Sequence, residues 1–250
     1  MPDLFWLILI AHLIADFPLQ TDRIYALKEK YVWGALPHVA IFFIFSIALA
    51  LPFIKTAAFW KGLILLTTGH GIIDWLKTCL TKKYFKDSLL FFLIDQCTHI
   101  MLIWIVAYKV IRIEDGSSNL FVLSDFFLNS HCHIIISGLI FSVFGGTIIN
   151  HYIKIWRTRK KHSNANQTSI QFPAFRERIP GYVERSILFS AMMAGGYFFI
   201  AVPFAFLPAV LVRYLMGYKK NGSHENIFTN FLVVAVTALL IHFVGAAYQV

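Results

Sequence analysis

Apolar runs of about 20 residues recur along the whole chain, and they constrain its fold more than any other feature. A helix of about 20 apolar residues spans the roughly 30 Å hydrocarbon core of a bilayer. Charged residues make up 14% of the chain, whereas soluble domains carry about 25%. The runs therefore predict an all-α fold, a polytopic bundle of transmembrane helices.

The runs predict about seven transmembrane spans, with six to eight compatible with the sequence. The first run begins at Leu4 and is interpreted as a span, because it lacks the basic segment and the small-residue cleavage site of a signal peptide. The sixth run continues past Pro203 and Pro208, so residues 186–216 form either one kinked span or a hairpin. The spans are predicted at residues 4–20, 36–54, 59–80, 89–111, 133–153, 186–207 and 227–250.

The loops predict how the chain is organised and oriented. We expect a five-span domain at residues 1–153, a basic exposed linker at 154–180, and a C-terminal segment of about two spans at 181–250. Most of the 22 Lys and Arg residues follow the first, third and fifth spans. These loops are therefore predicted to be cytoplasmic, with the N-terminus outside. Because the basic residues flank apolar spans, the expected partner is the lipid bilayer and not a nucleic acid.

Three predicted spans contain a His and an Asp four residues apart. Residues at this spacing share one helix face. The first and third spans read His then Asp, whereas the fourth, which runs in the opposite direction, reads Asp then His. Alternating spans therefore predict one layer of Asp near the loops and one layer of His a turn deeper. The pairs are His12 and Asp16, His70 and Asp74, and Asp95 and His99.

These pairs predict a metal site. An ionisable side chain at the centre of a bilayer costs about 2.5–3.5 kcal/mol on insertion scales, so such residues face the bundle interior and mark function. Imidazole nitrogens together with carboxylate oxygens suit zinc, manganese or iron, so we expect a divalent metal ion as cofactor. The candidate metal ligands are His12, Asp16, His70, Asp74, Asp95 and His99.

Other polar residues at the same end of the spans are assigned to catalysis and substrate binding. The candidate catalytic residues are Asp16, Asp74, Asp95 and Lys77: one free carboxylate is the general base, and Lys77 stabilises developing negative charge. Arg185 can hold a phosphate or carboxylate with two hydrogen bonds, although Glu184 and Arg185 read equally well as an interfacial pair. The candidate substrate-binding residues are Gln20, His38, Gln96, Glu184 and Arg185.

Five features of the sequence carry a family resemblance: AHLIADFPLQTD at 11–22, His38, HGIIDWLK at 70–77, DQCTH at 95–99 and GYVER at 181–185. Together they resemble a family of bacterial membrane proteins grouped as domain of unknown function 3307. The resemblance implies an integral protein of the bacterial cytoplasmic membrane, and it implies no activity, because none is established for the family. A looser likeness, in residue types alone, is to membrane-bound metal-dependent hydrolases.

Three functional hypotheses follow from different classes of protein. The first is a metal-dependent membrane hydrolase that acts from the cytoplasmic side on a lipid-linked or phosphorylated substrate. The alternative is an ion- or proton-coupled transporter that uses the same His and Asp residues. Against it, the outer halves of spans one to four lack a polar path that would continue across the membrane. The third is a non-catalytic membrane scaffold, in which the polar residues only specify helix packing.

Overall fold

The computed structural model describes residues 2–83, 88–111, 129–161, 172–194, 211 and 227–247. These residues are mostly helical and include no strand. Short 3₁₀ helices lie at Val32–Ala35 and Leu51–Phe53, and π-helical turns lie at Val106–Val110 and Phe141–Gly145. The α-helices are α1 Pro2–Asp16, α2 Asp22–Lys30, α3 Leu36–Leu49, α4 Ala57–Lys83, α5 Leu89–Ile105, α6 Ser130–Ile140, α7 Gly146–Lys161, α8 Phe175–Ala194 and α9 Ile227–Ala247.

In the part of the chain that the structure describes, three helical stretches are long and apolar enough to cross a membrane: Leu89–Val110, Ser130–Thr158 and Ile227–Ala246. Leu4–Asp16 and Trp33–Leu49 are shorter apolar helices. Length and composition therefore indicate a membrane protein with an all-α fold. Each of the seven predicted spans contains a helix, but the number that crosses the membrane stays a prediction.

Several predicted boundaries differ from the helix ends. The first span was predicted to reach Gln20, but α1 ends at Asp16, two residues before the helix-breaking Pro18. The two ends of the predicted linker at 154–180 are helical, because α7 continues to Lys161 and α8 begins at Phe175. The middle of that linker, the sixth span beyond Ala194 with its hairpin alternative, and residues 248–250 of the seventh span lie outside the described residues.

Helix α2 lies between the first two predicted spans and was not predicted from the sequence. Thr21 caps it by accepting a hydrogen bond from the backbone N–H of Ile24, and Asp22 lies in its first turn. Lys28 and Lys30 lie in its last turn, where cations favour the helix dipole. None of its side chains is fully buried, so α2 lies at the surface of its unit.

The chain divides into two compact units, Met1–Ser137 and Gly138–Val250. In the first unit α1 packs against α3 and α5, and α4 packs against the same two helices. Most of the side chains along α1, from Leu4 to Ala15, are buried, as expected of a helix that is apolar on every face. The predicted division at residues 153 and 180 was drawn from loop composition and stays a prediction.

In the second unit α8 packs against α9 and against the π-helical turn Phe141–Gly145. Helix α7 also contacts α9. Buried polar residues lie between these helices, among them Thr147, Asn150 and Asn230.

Candidate functional site

Four helices of the first unit place buried ionisable side chains in one cluster, which we call the His/Asp cluster. It contains all six predicted metal ligands together with His38. Each of the seven side chains is no more than 8% exposed. Helix α1 supplies His12 and Asp16, α3 supplies His38, α4 supplies His70 and Asp74, and α5 supplies Asp95 and His99.

The imidazole rings pack directly against one another. The ring centroid of His70 lies 5.4 Å from that of His12 and 4.5 Å from that of His99. His12 and His99 stack with centroids 4.9 Å apart. The structure thus brings together the three His residues that were predicted to form one layer.

Asp16 contacts residues from three other helices of the unit. Its Oδ1 atom lies 3.2 Å from His38 Nε2 and 3.6 Å from His70 Nε2. Its Oδ2 atom accepts a hydrogen bond of 3.0 Å from Gln96 Nε2. Gln96 was predicted to bind substrate, and the structure places it in direct contact with the carboxylates.

His38 is nearer the centre of the cluster than the sequence indicates. Its Nε2 atom lies 2.9 Å from His70 Nε2 and 3.1 Å from Asp74 Oδ2. His38 was predicted to bind substrate, as one of the polar residues at the same end of the spans as the His and Asp pairs. His38 joins the candidate ligands because α3 packs against α1 and α4. The spacing of residues within one span does not predict such packing between helices.

Two lysines pair with the carboxylates on the side of the loops. Lys77 Nζ lies 2.8 Å from Asp95 Oδ2. Lys28 Nζ lies 2.6 Å from Asp74 Oδ2 and donates a 3.3 Å hydrogen bond to Gln20 Oε1. Lys28 was absent from the predicted site because α2 was missed, and the one signal for it was the helix start at Thr21 and Asp22.

The donor set of the cluster fits a divalent metal ion. Three groups each bring three ligand atoms within 4.8 Å of one another. His12 Nε2 and His99 Nε2 are buried and have no hydrogen-bond partner among the described residues. Buried polar atoms normally have a partner, so unpartnered imidazole nitrogens suit a metal ligand. The groups are His12, Asp16 and His70; His38, His70 and Asp74; and Asp16, Asp95 and His99.

Beyond the imidazoles the buried side chains of α1, α3, α4 and α5 are mostly apolar. Phe42 stacks on His70 with ring centroids 4.6 Å apart. Leu7, Leu63 and Ile103 are also buried. Ionisable side chains are absent from the helix segments deeper than the cluster, namely residues 4–11, 39–49, 62–69 and 100–107.

Glu184 and Arg185 lie on α8, in the second unit, and both are fully buried. Arg185 Nε donates to the carbonyl of Val143 at 2.9 Å, and Nη1 donates to Asn230 Oδ1 at 2.7 Å. Nη2 donates to Thr147 Oγ1. A Cβ atom at Gly146 would lie 2.8 Å from Arg185 Cδ, so glycine leaves room for the guanidinium. The predicted role of the two residues in substrate binding stays a prediction.

Comparison with known proteins confirms the family resemblance for the first half of the chain, whereas the GYVER motif at 181–185 lies outside the matched residues. No significant match was found among curated proteins or solved structures. The family described as "Protein of unknown function (DUF3307)" matches residues 4–128, a region that contains every residue of the His/Asp cluster. The chain belongs to this family.

Proposed function

We propose that the protein is a metal-dependent membrane hydrolase, with the His/Asp cluster as its metal site and a lipid-linked or phosphorylated compound as its substrate. The observation that supports this most is the convergence of four imidazoles and three carboxylates from four helices. Burying so many ionisable groups is costly unless they are paired or bind a cation.

The residues around the ligands suit hydrolysis of an anionic substrate. A divalent ion supplies a Lewis acid that activates water and polarises the scissile group. Metal binding at Asp74 would compete with Lys28 for Oδ2, which leaves the Lys28 ammonium free to bind an anionic group. Lys77, which is 28% exposed, is the other cation within reach of such a substrate.

The proposed step conserves atoms and charge. For a phosphate ester, the oxygen of water bonds to phosphorus and the bond from phosphorus to the leaving oxygen breaks. A carboxylate that is not bound to the ion accepts the proton of the water, and the leaving oxygen then takes that proton. When a single ion occupies the group of His38, His70 and Asp74, Asp95 suits this role, because Lys77 and Gln96 already hold its Oδ2 atom in place.

Exposed tryptophans support a membrane position for the cluster. Trp75 follows Asp74 and is 47% exposed, and Trp33 just before α3 is 56% exposed. Trp60 and Trp104, near the other ends of α4 and α5, are 39% and 48% exposed. Tryptophan concentrates at both membrane interfaces. We propose seven spans in the bacterial cytoplasmic membrane, with the N-terminus outside and the carboxylates near the cytoplasmic interface.

The test uses the full chain in detergent, stripped of metal by a chelator and reloaded with Zn²⁺, Mn²⁺ or Fe²⁺. Phosphate release is measured from p-nitrophenyl phosphate and from phosphatidic acid micelles. We expect Asp74→Ala and His70→Ala to lose both bound metal and turnover. The exposed His242 provides the matched control, His242→Ala, which should keep both. Metal retained in both cluster variants would show that the site is assigned wrongly.

A transporter built on the same residues is less well supported, because no ionisable side chain continues the cluster through the deeper helix segments. Proteoliposomes loaded with a divalent-cation dye separate the two functions. Metal-dependent hydrolysis without cation flux supports the enzyme, whereas flux without hydrolysis supports the transporter. A scaffold predicts that Asp16→Asn combined with Lys77→Met keeps biological activity.

A further inference from the structure

We propose that the His/Asp cluster binds two divalent ions, one in each of two separate ligand groups, with the Asp16 carboxylate as the bridge between them. The inference rests on the proposed metal site and deepens it. It assigns a second ion position and a distinct role to Asp16.

Two of the three ligand groups have no residue in common. His38, His70 and Asp74 form the first group, from α3 and α4. Asp16, Asp95 and His99 form the second group, from α1 and α5. Each group has three ligand atoms within 4.8 Å of one another. Three protein ligands are enough to hold a catalytic ion with a position left for water or substrate.

Asp16 is placed to bridge the two groups. Its Oδ1 atom lies 3.2 Å from His38 Nε2 and 3.6 Å from His70 Nε2, both members of the first group. Its Oδ2 atom is bonded to Gln96 Nε2, which lies 3.3 Å from Asp95 Oδ2 in the second group. The Oδ1 atom therefore faces the first group directly, and the Oδ2 atom approaches the second group through the Gln96 amide. In two-ion sites bridged by a carboxylate the metals lie about 3.5–4 Å apart.

The charges around the cluster predict that the two ions bind with unequal affinity. Among the described residues, three carboxylates face two ammonium groups, those of Lys28 and Lys77. The first divalent ion compensates the remaining negative charge, and the second ion adds positive charge to a buried site. We therefore expect one tightly bound ion and one that binds more weakly.

In the experiment the metal-stripped full chain in detergent is titrated with Mn²⁺. Bound manganese is measured by mass spectrometry, and magnetic coupling between Mn²⁺ ions is detected by electron paramagnetic resonance. We expect two ions per wild-type chain at saturation, with the magnetic coupling of neighbouring Mn²⁺ ions. His38→Ala in the first group and Asp95→Asn in the second should each bind one ion, with an uncoupled six-line spectrum. His242→Ala should behave as wild type.

Two wild-type results would overturn the inference: one ion per chain at saturation, or two ions without magnetic coupling. Neither result depends on whether a variant folds. One ion together with metal-dependent hydrolysis would leave the proposed function standing. Two coupled ions without hydrolysis of either probe would support the two-ion site and count against the hydrolase. A chain that binds no ion would contradict both.

Discussion

A metal ion in the His/Asp cluster would compete with Lys28 for a carboxylate oxygen of Asp74. Its ammonium lies 2.6 Å from Asp74 Oδ2, the same oxygen that lies 3.1 Å from His38 Nε2. A divalent ion in the group of His38, His70 and Asp74 would have to share or displace this contact. The lysine and the ion are therefore competitors for one oxygen.

Replacing Lys28 with methionine, which keeps the length of the side chain, should strengthen metal binding. Two like charges about 4 Å apart repel by about 4 kcal/mol at an effective dielectric constant of about 20, so we expect at least a tenfold gain in affinity for Mn²⁺. Lys30→Met, in the same helix turn but exposed, is the control and should leave the affinity unchanged. Unchanged or weaker binding in Lys28→Met, measured by calorimetric titration, would argue against competition.

The spacing of residues within a span predicted part of this cluster. A His and an Asp four residues apart share a face whatever surrounds the helix, so the structure brings together the six residues chosen on that basis. His38 and Lys28 belong to no such pair. Their contacts depend on how α2 and α3 pack against α1 and α4, which a single sequence does not specify.

Arg185 provides a second residue-scale prediction, in the other unit. Three of its nitrogens donate to Val143, Asn230 and Thr147. Lysine has no planar fork of donors, so Arg185→Lys should leave buried acceptors without partners and cost about 1–3 kcal/mol of stability. The midpoint of thermal unfolding in detergent, followed by circular dichroism, measures this loss. Arg157→Lys, at an exposed position, should change it little, and equal midpoints for both variants would contradict the prediction.

At the scale of elements, α2 is the helix that was not predicted from sequence. Helix α2 has nine residues, five of them charged, so it contains no apolar run of the length that predicts a transmembrane span. The long apolar helices were predicted because length and hydrophobicity act locally. Their ends were predicted less well, because a helix such as α7 can continue from apolar into basic sequence without a cap or a proline.

A glycine fixes where α2 lies against the start of α3. A Cβ atom at Gly34 would lie 1.8 Å from the backbone oxygen of Leu27 in α2. Gly34→Ala must therefore move α2 and the Lys28 ammonium with it. We expect faster hydrogen exchange at the backbone amides of residues 22–30, measured by mass spectrometry.

The control for this prediction is Gly71→Ala. A Cβ atom there would meet only a side-chain atom, Val39 Cγ2, at 3.2 Å, which a small adjustment can relieve. Exchange in residues 22–30 should stay at the wild-type rate in Gly71→Ala. If Gly34→Ala also kept that rate, the close contact of α2 with Gly34 would not be what holds the helix.

For the whole molecule, the proposed orientation places the two ends of α3 on opposite sides of the membrane. Lys30 lies before α3 and Lys55 after it, and both are exposed. In a variant whose three cysteines are replaced by serine, Lys55→Cys should react with a membrane-impermeant thiol reagent in intact bacteria. Lys30→Cys should react only after permeabilisation. The reverse pattern would invert the topology, and labelling of both positions in intact cells would show that α3 does not cross.

The π-helical turn at Phe141–Gly145 has a consequence for single-residue deletions in related chains. A π turn accommodates one residue more than an α turn. Removing one residue elsewhere in this helix would rotate one half against the other by about 100°. Removing it within the turn would restore α-helical geometry and keep the two flanks in phase, but it would shift the Val143 oxygen away from Arg185. We therefore expect relatives that lack one residue here to differ also at the position of Arg185.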